Sequence, residues 1–335
     1  MPPIQKVRVY KYKNIAAALA VVLLALVALS TNVGSGSAKK HTNSKNNTSV
    51  SSKSEKKSAK KADKDDDVRL TKNYKYEEFK NGTTLNSGYL VTVDSDQPYT
   101  GSPFDTDGIY SYLFDEAGNQ IMYASSTMIY GETEMLEHLN QMAVDFAADT
   151  GLRTLMISQL IPDDGSDSKY DEAYIGTCAD LMIYNGSFDP FTAEGDYGWL
   201  TENCYKYGFI FRGNSRIRYV GVPVSEYLKS SGSDLETFME AVKKYKFEKP
   251  LYFTDENDKE FAFYFIDVSS GDTTTNVPIP LRQDDSEYGY DISGNNEDGY
   301  VVCVNLTDNE DFDNYYEQSQ EEDRQDAETD ETVNG

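Results

Sequence analysis

The chain has 335 residues and a formal charge of −26, from 57 acidic against 31 basic side chains. That sign argues against nucleic-acid binding, which needs clustered Lys and Arg to neutralise phosphates. Two histidines, His41 and His138, leave little room for chemistry built on several imidazoles. Three cysteines, Cys178, Cys204 and Cys303, are too few and too scattered for a disulfide scaffold or a thiolate metal site. Aromatic residues at 13% still allow a real core.

Residues 1–14 carry Lys6, Arg8, Lys11 and Lys13 with no acid, and residues 15–30 are apolar except for Ser30. That run spans about 24 Å as a helix, so crossing roughly 30 Å of hydrocarbon recruits Thr31–Gly34. Residues 15–34 therefore read as an uncleaved transmembrane signal-anchor with a basic cytoplasmic tail, leaving everything downstream outside a cell membrane crossed once. A cleaved signal peptide is the alternative, because small residues follow at Gly34–Ala38. No lipobox cysteine follows the run.

Residues 35–72 read as a flexible Ser/Lys-rich linker; between Ala38 and Lys64, nine lysines meet two acids and no aromatic residue. At the other end, residues 307–335 hold twelve acids against Arg324 alone, a composition expected to stay disordered. Residues 65–306 still carry 17 basic against 43 acidic side chains. The folded part is itself strongly acidic.

Between 85 and 130, short β-type runs (Tyr89–Val93, Tyr110–Phe114, Gln120–Tyr123) alternate with turn clusters such as Asp105–Gly108 and Glu116–Asn119. Met135, Leu136, Leu139, Met142, Ala143, Phe146 and Ala147 then recur at helical spacing, and Gly151 supplies a stop. Strands are expected at Leu152–Ile161 and Thr177–Tyr184, separated by the polar loop Pro162–Tyr170. A second helix runs from about Tyr197 to Tyr207 and ends at Gly208, followed by strands Phe209–Arg212 and Ile217–Val220. Ser233 with Glu236 forms a capping box for a third helix whose buried stripe is Leu235, Phe238, Met239 and Val242. Beyond Lys246 the signals are β: Leu251–Phe253, Phe261–Ile266 and Tyr300–Val304. The class is α+β, a mixed or antiparallel sheet with flanking helices and a β-rich C-terminal extension.

Three stretches resemble the VanY-type zinc D-alanyl-D-alanine carboxypeptidases, which trim peptidoglycan stem peptides. Asp171–Leu181, DEAYIGTCADL, is similar to the family's SEHQTGLAVDI. Trp199–Phe211, WLTENCYKYGFIF, follows its WLxENAxKYGFxxR almost residue for residue. Arg218–Gly221, RYVG, is the end of its EPWHFRYVG. Gly88–Asp94 resembles the family's lead-in strand, and the likeness covers about half the chain. It implies a D,D-carboxypeptidase-like (hedgehog-like metallopeptidase) domain over 73–247, with 248–306 as the extension.

In the family, zinc is held by the His of SxH, by the Asp seven residues later and by the His of ExxH, whose Glu is the general base. Carried over, the ligand positions are Ala173, Asp180 and Arg216, and the base position is Gly213. Only Asp180 is of ligand type. The family's substrate-gripping SGYRS corresponds to Ser158–Pro162, SQLIP, which has no Arg. The loop between Phe211 and Arg218 is shorter than is usual in the family.

A catalytic zinc needs about three protein ligands and an open water position. Asp180 alone cannot supply them, and a permanent cation at 216 opposes a dication. Without the metal, water keeps its high pKa, and Gly213 accepts no proton. Two arrangements are open: Asp180 and Arg216 pair in place of a metal bridge, or both point into solvent; they are candidates to line a vestigial cleft, with no cofactor expected although the family uses zinc.

His138 with Glu134 one turn earlier has chelate spacing but reads as an ordinary helix residue, and His41 sits in the linker. Cys178 and Cys204 read as small core residues, with a disulfide between them left open. Most tyrosines read as core or surface filler; some of those in 85–130 and 285–316 are candidates to line a glycan- or peptide-binding surface. The expected function is a membrane-anchored, extracellular pseudoenzyme that binds peptidoglycan or an envelope protein and no nucleic acid. The rival is an active zinc D,D-carboxypeptidase, and a third possibility is a scaffold acting through its β-rich extension.

Overall fold

The computed structural model describes residues 70–93, 96–101, 106–161 and 168–307, all within the unit Asp63–Gly335. The expected basic tail (1–14), anchor (15–34) and most of the linker lie outside the described residues, as does the acidic tail beyond 307. Among the described residues no helix is long and apolar enough to cross a membrane. Leu70, which the composition assigns to the linker, is buried in a cluster with Phe247, Tyr264 and Val277.

The described residues start with β1 (Tyr74–Lys80) and a single helical turn at Asn81–Thr84, then β2 (Thr106–Gly108), β3 (Tyr123–Ala124) and β4 (Tyr130–Glu132). Helix α1 (Thr133–Thr150) leads to β5 (Leu155–Gln159), β6 (Cys178–Tyr184) and β7 (Phe188–Pro190). Helix α2 (Gly198–Asn203) precedes β8 (Phe209–Arg212) and β9 (Arg216–Tyr219), followed by α3 (Val222–Ser231) and α4 (Leu235–Val242). The remainder is β10 (Leu251–Thr254), β11 (Glu260–Asp267), β12 (Thr274–Pro280), β13 (Gly289–Gly294) and β14 (Gly299–Asn305).

The central sheet has the order β3-β5-β6-β9-β8, with β7 also on β6; β3–β5 is parallel and the other pairs are antiparallel. One face carries Ala179, Leu181, Ile217 and Tyr219, which share a core with the buried stripe Met135, Leu136, Leu139, Met142, Ala143 and Phe146 of α1. Each buried Leu, Ile, Met or Phe side chain here contributes about 1.5–3 kcal/mol, so this contact sets the orientation of the sheet. The opposite face holds Asp180, Arg216 and Arg218, because successive strand residues point to opposite sides.

The second sheet, β10-β11-β14-β13, is antiparallel throughout. Phe261, Phe263 and Phe265 of β11 pack with Phe238 and Val242 of α4 and Leu228 of α3. Ala262 and Tyr264 turn the other way, into a cluster with Val277 and Ile279 of β12. A strand buried on both faces reads as the nearly continuous apolar run FAFYF. Strand β12 pairs along its full length with β1, so residues 74–80 are tied to residues 274–280.

Several expectations change. Tyr89–Val93 is not a strand: its backbone groups bond to the Arg218 side chain, to Ser293 Oγ and to the Asn295 carbonyl rather than into a ladder. Tyr110–Phe114 gives way to a 3-10 turn, Ile109–Tyr112, because Asn140 Nδ2 captures the carbonyls of Tyr112 and Phe114. Only Tyr123 of the run Gln120–Tyr123 enters a strand. The third helix is capped by Asp234, whose carboxylate accepts the Thr237 N–H at 2.7 Å, and Ser233 lies outside the cap. Helix α3 and strands β1, β12 and β13 escape the sequence reading; Pro223 in the first turn of α3 is tolerated there, since that N–H needs no intrahelical partner.

Candidate functional site

The site is built on β6 and β9. Asp180 and Arg216 are direct cross-strand partners, and a register shift in β5 between Ile157 and Gln159 adjoins Asp180 on its other side. Ser158 Oγ donates to the Asp180 carbonyl at 3.1 Å, which holds the strand at the irregularity.

Arg216 grips Asp180 with two nitrogens, Nε to Oδ1 at 2.6 Å and Nη2 to Oδ2 at 3.1 Å. Its Nη1 donates to Asp171 Oδ1 at 2.6 Å. The fork matches a carboxylate in geometry as well as charge. Hydrogen bonding to Asp180 holds the guanidinium protonated even more firmly than usual. Asp171 also accepts the Ala173 N–H at 2.9 Å, capping the 3-10 turn Glu172–Ile175.

Beside this pair lies a second knot. Glu172 accepts from Arg212 Nε at 3.1 Å and from Arg218 Nη1 at 3.0 Å. Arg212 reaches on to Glu236 in the first turn of α4, at 2.5 and 3.1 Å. Arg218 is 2% exposed and also donates to the carbonyls of Tyr89 and Val91, at 3.2 and 2.5 Å. Three guanidinium groups thus meet four carboxylates on one sheet face. The sequence reading anticipates only the Asp180–Arg216 part. The missed signal is the arginine pattern itself: 212 stands opposite 216 across the hairpin, and 218 follows two residues on.

These residues do not fit zinc. At position 173 the buried Ala methyl offers no ligand, both Asp180 oxygens are taken, and position 216 carries the cation. Position 213 lies in the three-residue link between β8 and β9, in a left-handed conformation with φ 82°. A glutamate there would be strained before any chemistry began. Among the described residues no three His, Cys, Asp or Glu side chains cluster closely enough to hold a metal ion.

The remaining candidates also have neighbours. His138 stacks near Tyr219, with ring centroids 5.0 Å apart, and hydrogen-bonds the Tyr207 carbonyl; burial lowers its pKa. Glu134 does not chelate with it and instead accepts the hydroxyls of Tyr89 and Tyr219, each at 2.8 Å. All three cysteines are free and buried, and burial pushes the Cys178 and Cys204 thiols up to about 12. As a unit, the three guanidinium groups and four carboxylates can bind and cross-link charges.

No protein-family model matches the chain. Over 243 residues, 65% of this chain and 75% of its relative, it is 26% identical to a D-alanyl-D-alanine carboxypeptidase of Enterococcus faecium. Its fold matches the crystal structure of the vancomycin-resistance D,D-dipeptidase VanXYg in complex with a D-Ala-D-Ala phosphinate analogue. The TM-score is 0.56 at 19% identity, over 69% of this chain and 99% of that one. VanYB in complex with D-alanine-D-alanine aligns with a TM-score of 0.33 and 16% identity, over 46% of this chain and 99% of that one. The fold is that of a D,D-peptidase, mixed helix and antiparallel sheet. The sequence similarity to a D-alanyl-D-alanine carboxypeptidase is in keeping with the likeness of its three motifs.

Proposed function

We propose that this is a non-hydrolytic D,D-carboxypeptidase-like domain, held outside a cell membrane by its N-terminal segment, that binds peptidoglycan stem peptides or an envelope protein. One observation carries the reading: Arg216 holds both oxygens of Asp180, the sole ligand-type residue at the three family positions. A guanidinium there supports a cleft that needs no zinc and generates no hydroxide. Descent from a peptidase scaffold supports a wall peptide as ligand, although fold alone does not decide function. The acidic charge supports partners other than nucleic acid.

The test uses the full-length protein. Zinc content and release of D-alanine from a model pentapeptide should both be absent, while purified sacculi should retain the protein. Stoichiometric zinc together with D-alanine release would establish the active carboxypeptidase instead. Failure to bind sacculi, with capture of a protein from the same envelope, would move the ligand from wall to partner.

A further inference from the structure

Helix α3 meets the turn between β10 and β11 through two acids. Glu226 on α3 is 6% exposed, and Asp255, just past β10, is 8% exposed. Asp255 Oδ1 closes the turn by accepting the N–H groups of Asn257 and Lys259, both at 2.8 Å. Asp258 completes it with φ 62°, a conformation Asp tolerates.

The Glu226 carboxyl lies in hydrogen-bonding contact with that of Asp255. No N–H or O–H donor among the described residues reaches the buried Glu226 Oε2. Two ionised carboxylates cannot rest in such contact away from water, and a buried oxygen without a donor is costly. One proton removes both difficulties: a neutral carboxyl donates to a carboxylate, as in coupled acid pairs.

The surroundings reinforce this. Glu256 and Lys259 face Glu226 from the turn, and Lys259 alone favours the ionised form. Tyr205, from the 3-10 turn Cys204–Tyr207, gives its hydroxyl to Glu256 at 3.2 and 3.3 Å, and Lys229 of α3 lies 5.2 Å from the Tyr205 ring centre. Burial first, then Asp255 and Glu256, push Glu226 up to about 7. Among the described residues no third Asp, Glu, His or Cys completes a metal site.

We propose that Glu226 and Asp255 share one proton, and that this proton is a pH-sensitive latch between helix α3 and the β10–β11 turn. Helix α3 lies in the carboxypeptidase-like stretch and the turn in the C-terminal extension, so the latch fastens one to the other. A raised acid pKa in the folded state means the latch is closed below the ordinary value near 4.5. It is lost progressively as pH rises through about 7. This holds whatever ligand the cleft takes.

Amide hydrogen exchange on the full-length protein, corrected for intrinsic rates, reads the latch. Between pH 5 and 8, opening of residues 222–231 and 255–259 should increase by roughly 10- to 100-fold, each pKa unit being worth a factor of ten. In Glu226→Gln the amide donates to Asp255 at every pH, and the profile should be flat. In Asp255→Asn the Glu226 carboxyl, followed by carbon-13 NMR, should titrate closer to 4.5. Exchange in the unaltered protein that does not depend on pH would overturn the proposal, as would a Glu226 carboxyl titrating near its ordinary value. Restored protection on adding calcium at pH 8 would overturn it too, since a metal would then bridge the acids.

Discussion

Asp180 and Arg216 stand opposite each other on β6 and β9 and are joined twice, at 2.6 and 3.1 Å. The two strands are thus bridged at this point by a doubly hydrogen-bonded ion pair. Both partners are about three-quarters buried, so solvent screens the pair only in part.

Arg216→Met should leave Asp180 and Asp171 without their cation. The expected loss is about 1–3 kcal/mol of stability at neutral pH, read from urea midpoints. An unchanged midpoint at pH 7 would show the pair to be energetically empty.

Arg218→Met should cost more, about 3–5 kcal/mol, because the side chain is 2% exposed and its removal leaves two carbonyls without their donor and Glu172 with Arg212 alone. The same measurement checks it, and the order Arg218 above Arg216 is the sharper prediction.

Ala173→His combined with Arg216→His sets two imidazoles beside Asp180, so that all three family positions carry ligand-type side chains on a backbone of the right fold. The double variant should take up zinc and still release no D-alanine from a pentapeptide, because position 213 offers no base. Metal analysis and the peptide assay read the two halves separately.

Glu132 caps α1 by accepting the N–H groups of Glu134 at 3.1 Å and Met135 at 2.6 Å. Burial, with repulsion from Glu134 and Glu137, nonetheless pushes it up to about 7. Its contribution is therefore complete below the ordinary 4.5 and lost as pH rises toward 7. Glu132→Gln should reduce the stability difference between pH 4.5 and 7.5 by about 1–3 kcal/mol, measured as urea midpoints at both pH values.

Helix α1 is legible in the sequence because its apolar residues recur three and four apart and Gly151 ends it in a left-handed conformation. Strands β6, β8 and β9 are legible through their compact apolar runs. Tyr89–Val93 and Tyr110–Phe114 look the same locally, yet their backbones are satisfied by Arg218 and Asn140, which lie far along the chain. No local pattern contains that information. At the site, aligned motifs expose the Asp180–Arg216 pair, whereas Glu172 linking Arg212 to Arg218 depends on a loop folding over the sheet.

The three-residue link at Gly213 sets how hydrolysis could be introduced into this hairpin. Imidazoles at 173 and 216 take two codons, but a glutamate at 213 would need a backbone that L-residues avoid. A proton acceptor here therefore requires inserting residues between β8 and β9, a step rarer than substitution. A link this short acts as an evolutionary ratchet, closing the route that single substitutions would otherwise leave open.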